Sequence, residues 1–215
     1  MIPLAGGAYW LSIRLKRGIL KLNNNLLEIE RKLSLLGITS KYGENPNREV
    51  KKIEETLSLT LPMEYKRFLQ KFGTLNFNDT EIAFYPETPI EEDFFTIVNF
   101  YGLTGDNHDL KLIINRYEFR IPNDLIPIAE CPGGDQLCIG INNKTFGKIY
   151  YWNHNKEKLQ VNTIEELWEP INLIYDSFFD LIMSIQELQE SEDFDDSIIE
   201  SIKVSDKFLS RFNQR

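Results

Sequence analysis

A chain of 215 residues with 42% hydrophobic content has the size and composition of one globular domain with extensions, which excludes disorder throughout. No uncharged apolar run reaches the about eighteen residues that a membrane-spanning helix needs, and two cysteines are too few for a disulfide framework, so reduced thiols are expected. The net charge of −9 is uneven: residues 1–48 carry eight Lys/Arg against three Glu, a net of +5, which leaves −14 for residues 49–215. That balance disfavours nucleic-acid phosphates and has two readings: it favours a basic protein partner, such as a nuclease, whose encounter it would steer, or it serves solubility alone.

Residues 1–45 read as a basic N-terminal extension. The apolar start "MIPLAGGAYWLSI" precedes Arg14, Lys16, Arg17 and Lys21, the reverse of the order in a secretory signal, so a cytoplasmic protein is expected. "LSIRLK" alternates like an edge strand, and "LNNNLLEIERKLSLLG" then turns helical, with Leu26, Ile29, Leu33 and Leu36 on one face. The turn-rich "SKYGENPN" sets a boundary, and residues 46–188 form the main domain.

In that domain, Val50, Ile53 and Leu57 predict a first helix, and Pro62 opens a second. Tyr65, Phe68, Leu69 and Phe72 make its apolar stripe, and Gly73 stands where a C-terminal cap belongs. "TEIAFYP" and "FFTIVNFYGL" read as strands, and "HDLKLIINRYEF" as a helix carrying Leu110, Ile113, Ile114 and Tyr117. Three strands then follow at Leu125–Ala129, Gln136–Ile141 and Gly147–Trp152, joined by short turns that suit an antiparallel meander. Alternation of Leu137, Ile139 and Ile141 with Gln136, Cys138 and Gly140 predicts one apolar and one small or polar face. Thr163 and Glu166 fit a capping box, Pro170 is expected to kink or restart that helix, and Phe178, Leu181, Ile182, Ile185 and Leu188 carry an apolar stripe onward. Residues 189–215 read as an acidic linker, with Glu190, Glu192, Asp193, Asp195 and Asp196, followed by a C-terminal helix. The fold class is α+β: a mainly antiparallel sheet with helices on one side.

The densest stretch is "PIAECPGGDQLCIGINNKTFGKIYYWNHN", Pro127 to Asn155. A phosphate cradle is disfavoured, since Gly133-Gly134 lies between two strands and leads into Asp135, which would repel the anion. Cys131 and Cys138 stand too far apart for a zinc knuckle, and His108 and His154 are the only histidines to complete a set, so no metal and no cofactor are expected. "GDNHD", Gly105 to Asp109, has the oxygen density of a calcium loop without its spacing, and a polar turn capping the next helix is the simpler reading. No nucleophile elbow appears; Cys131 with His154 stays formally possible, but no complete catalytic set is visible and an enzyme is not expected. In "IYYWNH", Ile149 and Tyr151 should face one way and Tyr150 and Trp152 the other, the second pair being either covered by another element or an exposed interface anchor.

The order of these motifs resembles the SUKH superfamily, the Smi/Knr-like domain. "IEETLSLTLPMEYKRFLQKFG", then "LIPIAECPGGDQLCIGI", "GKIYYWNHN" and "TIEELWEPINLIYDSFFDLI" follow the family pattern in order over residues 46–188. Leu61-Pro62, the Gly133-Gly134-Asp135 turn and the Trp152-x-His154 strand carry most of the resemblance. Lys71-Phe72-Gly73-Thr74 departs from the family's usual Asn-Gly-Gly, and residues 1–45 have no counterpart in it. The resemblance implies an α+β fold without an active site. In bacteria it implies an immunity protein that neutralises a cognate polymorphic toxin, often a nuclease; the fungal alternative is a regulator of cell-wall synthesis acting through protein contacts. The expected partner-binding residues are Asp135, Gln136, Tyr150, Trp152 and His154 at or near a pocket, with Asp106 and Asp109 as rim charges.

Overall fold

The computed structural model describes residues 6–36, 38–41, 46–77, 81–88, 90 and 94–188; the acidic run Glu190–Asp196 and the C-terminal helix expected after it lie outside them. The first element is helix α1, Gly6–Leu35, followed by strand β1, Ile38–Lys41. "LSIRLK", expected as an edge strand, is therefore helical. Extending a nucleated helix by a residue costs little, and the nucleus lies in the stripe that follows, where Ile29 and Leu33 are fully buried. Polar contacts fix that stripe against helix α3, Met63–Phe72: Asn25 donates to Glu64 at 2.8 Å, Arg67 to Asn23 at 2.8 Å, and Lys71 pairs with Glu30 at 3.4 Å.

Helix α2, Pro46–Thr56, buries Val50 and Ile53, and the Leu61-Pro62 corner turns the chain into α3. Glu54 holds the corner by accepting from the Leu61 N–H at 2.9 Å while pairing with Lys66 at 2.7 Å. Tyr65, Phe68, Leu69 and Phe72 all face the core. Gly73 ends the helix at φ 64°, a left-handed angle that favours glycine, with its N–H on the Leu69 carbonyl at 2.9 Å.

Strands β2 (Thr74–Phe77), β5 (Asn99–Phe100), β6 (Leu125–Glu130), β7 (Gln136–Gly140), β8 (Ile149–Trp152) and β9 (Ile171–Tyr175) join β1 in a seven-stranded sheet. Its order is β1-β2-β5-β6-β7-β8-β9, with every neighbouring pair antiparallel. A small sheet holds β3 (Ile82–Phe84) between β4 (Phe95–Ile97) and β10 (Gln186–Glu187). The run "FFTIVNFYGL", read as one strand, thus serves two sheets, breaking at the exposed Val98, whose N–H crosses to the Glu130 carbonyl at 2.8 Å.

Helix α4, Leu110–Arg116, precedes β6, and helix α5, Ile164–Trp168, starts at the capping box of Thr163 and Glu166. The helix expected beyond Pro170 is strand β9. Pro170 has no N–H to give a helix, its carbonyl takes the Asn153 N–H at 2.9 Å, and the apolar run "INLIY" gains more by pairing with β8. Helix α6, Phe178–Ser184, ends the apolar stripe before Ile185, and Gln186–Glu187 pair with β3 instead of continuing it.

The main helices cover one face of the large sheet. Phe68, Phe100 and Phe178 meet there with ring centroids 5.0–6.3 Å apart, spacings at which edge-to-face contact adds to burial. The other face of β7 and β8 is also buried, against expectation for the Gln136/Cys138/Gly140 side: Cys138, Tyr150 and Trp152 pack with Ile121 and Leu125 in a second cluster, flanked by Tyr117, Trp168, Ile171 and Leu173. We expect Leu33→Ala to destabilise the protein by about 2–5 kcal/mol in urea unfolding, the cost of a buried cavity. An unchanged transition midpoint would place α1 outside the cooperative unit.

Candidate functional site

The turn between β6 and β7 is built from residue types with little choice. Pro132–Gly134 make one turn of 3-10 helix, with Gly133 at φ 76° and Gly134 at φ 94°. A side chain at Gly134 would meet the His154 ring at 3.7 Å in a backbone conformation that L-residues resist. The Cys131 N–H closes the turn on the Asp135 carbonyl at 2.9 Å.

Asp135 is buried, and both carboxylate oxygens are used inside the fold. One accepts from the Tyr151 hydroxyl, the other from the His154 backbone N–H at 2.7 Å, so the acid ties the turn to the exit of β8. Gln136, also buried, accepts from the Tyr101 hydroxyl at 2.7 Å and donates to the Gly134 carbonyl at 3.0 Å. Burial pushes the Tyr101 phenol well above its ordinary range, so it stays a donor.

Tyr150 and Trp152, whose face the sequence leaves either covered or exposed, are buried in the second cluster, Trp152 completely. A guanidinium lid closes over Trp152: Arg120 lies 5.3 Å from its ring centroid and 4.9 Å from that of Tyr117. Two hydrogen bonds from Arg120 to the Glu157 carboxylate, at 2.7 and 2.6 Å, hold the lid in place. These bonds raise the Arg120 pKa above its ordinary value. Of the five residues expected at the pocket, His154 alone is exposed.

Asp106 and Asp109 lie in the loop before α4 and are half-buried. Asp106 accepts from the Thr104 hydroxyl at 2.7 Å and the His108 N–H at 2.9 Å; Asp109 caps α4 through the Lys111 N–H at 3.0 Å and takes the Gly105 N–H at 2.9 Å. "GDNHD" is thus a helix-capping turn. The two cysteines belong to different buried clusters, and among the described residues no group of three or more His, Cys, Asp or Glu is placed to hold a metal ion. Burial holds both thiols far above their ordinary pKa, Cys131 further opposed by the nearby Asp135 carboxylate, so neither supplies a thiolate near neutrality.

One concavity escaped the sequence reading. A cleft of about 560 Å³ opens between the Leu57–Thr60 loop, the end of α4 and the start of β6, floored by Ile114, Tyr117, Ile126 and Ile141. Thr60, Ile141 and Asn142 connect it to a second hollow, of about 400 Å³, beside Lys144 and Phe146. Its walls come from four separate segments, which no local pattern brings together.

The succession of α2, the Leu-Pro corner, α3, the glycine turn and the buried Trp152 strand matches the SMI1-KNR4 cell-wall family model, SUKH_6, over residues 47–182. The chain belongs to this family. It is also 30% identical over 185 residues to the SPbeta prophage-derived uncharacterized protein YokK of Bacillus subtilis strain 168, covering 77% of this chain and 88% of that protein. The SUKH_6 match starts in α2 and ends in α6, so α1 and β1 lie outside it although α1 packs into the same core.

In this SUKH_6 domain Asp135→Ala should cost about 2–4 kcal/mol in urea unfolding, because it strands the Tyr151 hydroxyl and the His154 N–H; a loss below about 0.5 kcal/mol would remove the turn's latching role. Stability should also fall at alkaline pH. Cys131, Cys138, Tyr65 and Tyr101 have pKa values raised by burial, so above pH ~8.5–10 the unfolded chain releases protons that the folded chain keeps. Their contribution is complete below that window and declines through it, which thermal unfolding between pH 7 and 10.5 would register as a falling midpoint.

Proposed function

We propose that this chain is a cytoplasmic immunity protein that binds one cognate toxin, a basic nuclease-type protein, and neutralises it stoichiometrically without chemistry of its own. The observation carrying this reading is the internal use of the reactive-looking groups of the SUKH_6 turn: Asp135 is held by Tyr151 and His154, and the two thiols are buried and protonated in different clusters. Such a site suits a scaffold for contact. The −14 carried by residues 49–215 favours a basic partner, and kinship with a prophage-derived protein fits a gene carried on mobile elements.

Within this reading Asp106, Asp109 and His154 have surface to offer a partner, while Asp135, Gln136, Tyr150 and Trp152 shape the surface from beneath. The description of the matching family as cell-wall proteins favours a second reading, a regulator of cell-wall synthesis that works through protein contacts. Co-expression separates the two. If the immunity reading holds, this chain rescues cells from the toxin encoded beside its gene; rescue by none of the neighbouring gene products, together with altered wall-stress sensitivity on deletion, would favour the regulator. Reversing Asp106 and Asp109 to Lys should slow association with a basic toxin by about tenfold at low salt and by less at about 0.5 M salt, measured by stopped flow. An unchanged rate at low salt would take both residues off the rim.

A further inference from the structure

The edges of the two sheets are protected unequally. β1 has four residues, β4 three, and β10 two, one of them Glu187. Short strands and charges are the ordinary means of keeping foreign strands off a sheet edge. β9 ends the large sheet with five residues, Ile171-Asn172-Leu173-Ile174-Tyr175, and no charge among them.

The register shows which backbone groups are free. Asn153 donates to the Pro170 carbonyl at 2.9 Å, and Trp152, Tyr151 and Tyr150 stand opposite Ile171, Asn172 and Leu173. Hydrogen-bonded and non-hydrogen-bonded pairs alternate along an antiparallel ladder, so Asn172 bonds to β8 while Ile171 and Leu173 turn their N–H and C=O groups outward. No described residue pairs with those outward groups. Ile171, Asn172 and Leu173 are half-exposed, and ion-paired carboxylates flank the edge: Asp176, which follows the strand directly, pairs with Lys148 at 3.3 Å, and Glu169, which precedes it across Pro170, pairs with Lys158 at 2.7 Å.

The geometry points to β9 as the edge on which an extended strand of the partner protein, flanked by Lys or Arg, adds to the sheet. The inference rests on the immunity reading for the identity of that partner. Backbone bonds to Ile171 and Leu173 supply the pairing, and Glu169 and Asp176 take basic flanks by exchanging Lys158, which keeps Glu166 at 3.3 Å, and Lys148 for the incoming side chains. A second copy of the chain fits poorly. Self-pairing along about 17 Å of strand buries far less than the about 1,200 Å² of a stable interface, and it opposes two acidic domains.

The test uses the full chain with two synthetic probes, Lys-Val-Thr-Val-Thr-Val-Lys and the same peptide with Glu at both ends. Fluorescence anisotropy should give saturable binding of the Lys-flanked peptide, weakened at least tenfold in the Glu-flanked one, with amide exchange slowed at Ile171 and Leu173. Leu173→Pro removes an outward N–H without breaking a bond to β8 and should abolish binding while thermal unfolding remains cooperative. If that variant unfolds, the double variant Glu169→Lys/Asp176→Lys serves instead, and should bind the Lys-flanked peptide at least tenfold more weakly. Equal binding of both peptides, no binding, protection confined to other segments, or protection of β9 through dimerisation of the free protein would each overturn the proposal. Toxin rescue that survives Leu173→Pro would overturn it while leaving the immunity reading intact. Peptide binding at β9 without rescue from a neighbouring toxin would do the reverse.

Discussion

The fold depends on the burial of strand β8 from both sides. Ile149, Tyr150, Tyr151 and Trp152 are four consecutive buried residues, and the period of two along a strand sends them to opposite faces of the sheet. One apolar layer cannot serve both. The side of Ile149 and Tyr151 joins the main core cluster, with the Phe95 ring of β4 4.4 Å from that of Tyr151, while the side of Tyr150 and Trp152 needs Tyr117, Ile121 and Trp168 to fold over it. Arg120 completes this second layer because a guanidinium can lie flat on the rings while Glu157 at the rim satisfies its donors.

The same constraint explains the chemistry of the glycine turn. A strand buried on both faces brings its polar neighbours into a region of low dielectric, where an unpaired group costs about 1–3 kcal/mol. Asp135 and Gln136 lie next to that strand, and their bonds to Tyr151, His154, Tyr101 and Gly134 meet this demand. An aspartate in a glycine turn beside a histidine looks like catalytic apparatus when read by residue type. Its partners show that it is a latch between two strands.

Elements whose pattern has one physical meaning were legible in the sequence. The stripe Tyr65, Phe68, Leu69, Phe72 fits only a helix, Gly73 only its end, and Thr163 with Glu166 forms the reciprocal cap that their spacing predicts. The meander of β6, β7 and β8 followed from its short turns. "INLIY" is apolar at four of five positions and has no period, so local residues do not separate a buried helix turn from a strand; pairing with β8 decides it. The division of "FFTIVNFYGL" between two sheets, the pairing of β10 with β3 and the walls of the cleft are likewise set by segments far away in the chain. The burial of Tyr150 and Trp152 was undecidable from alternation, which separates two faces without saying what covers either.

A domain locked in this way separates stability from recognition. Substituting Trp152, Tyr151 or Asp135 to suit a new partner would open a cavity or strand a polar group, at a cost of several kcal/mol against a total stability of about 5–15 kcal/mol. Exposed positions outside the packed layers change at about 0.5 kcal/mol or less. The rim of the cleft and the outer edge of β9 are where this fold can vary its contacts cheaply, whereas Asp106 and Asp109 also hold the turn that caps α4. The glycine turn and the Trp152 strand, both within the SUKH_6 match, are therefore among the parts least free to change. Charge works in the same direction, since the −14 of residues 49–215 acts over several ångströms and does not depend on any single contact. On the proposed reading, long-range attraction brings a basic toxin to the surface, and edge geometry and loop side chains then distinguish one toxin from another.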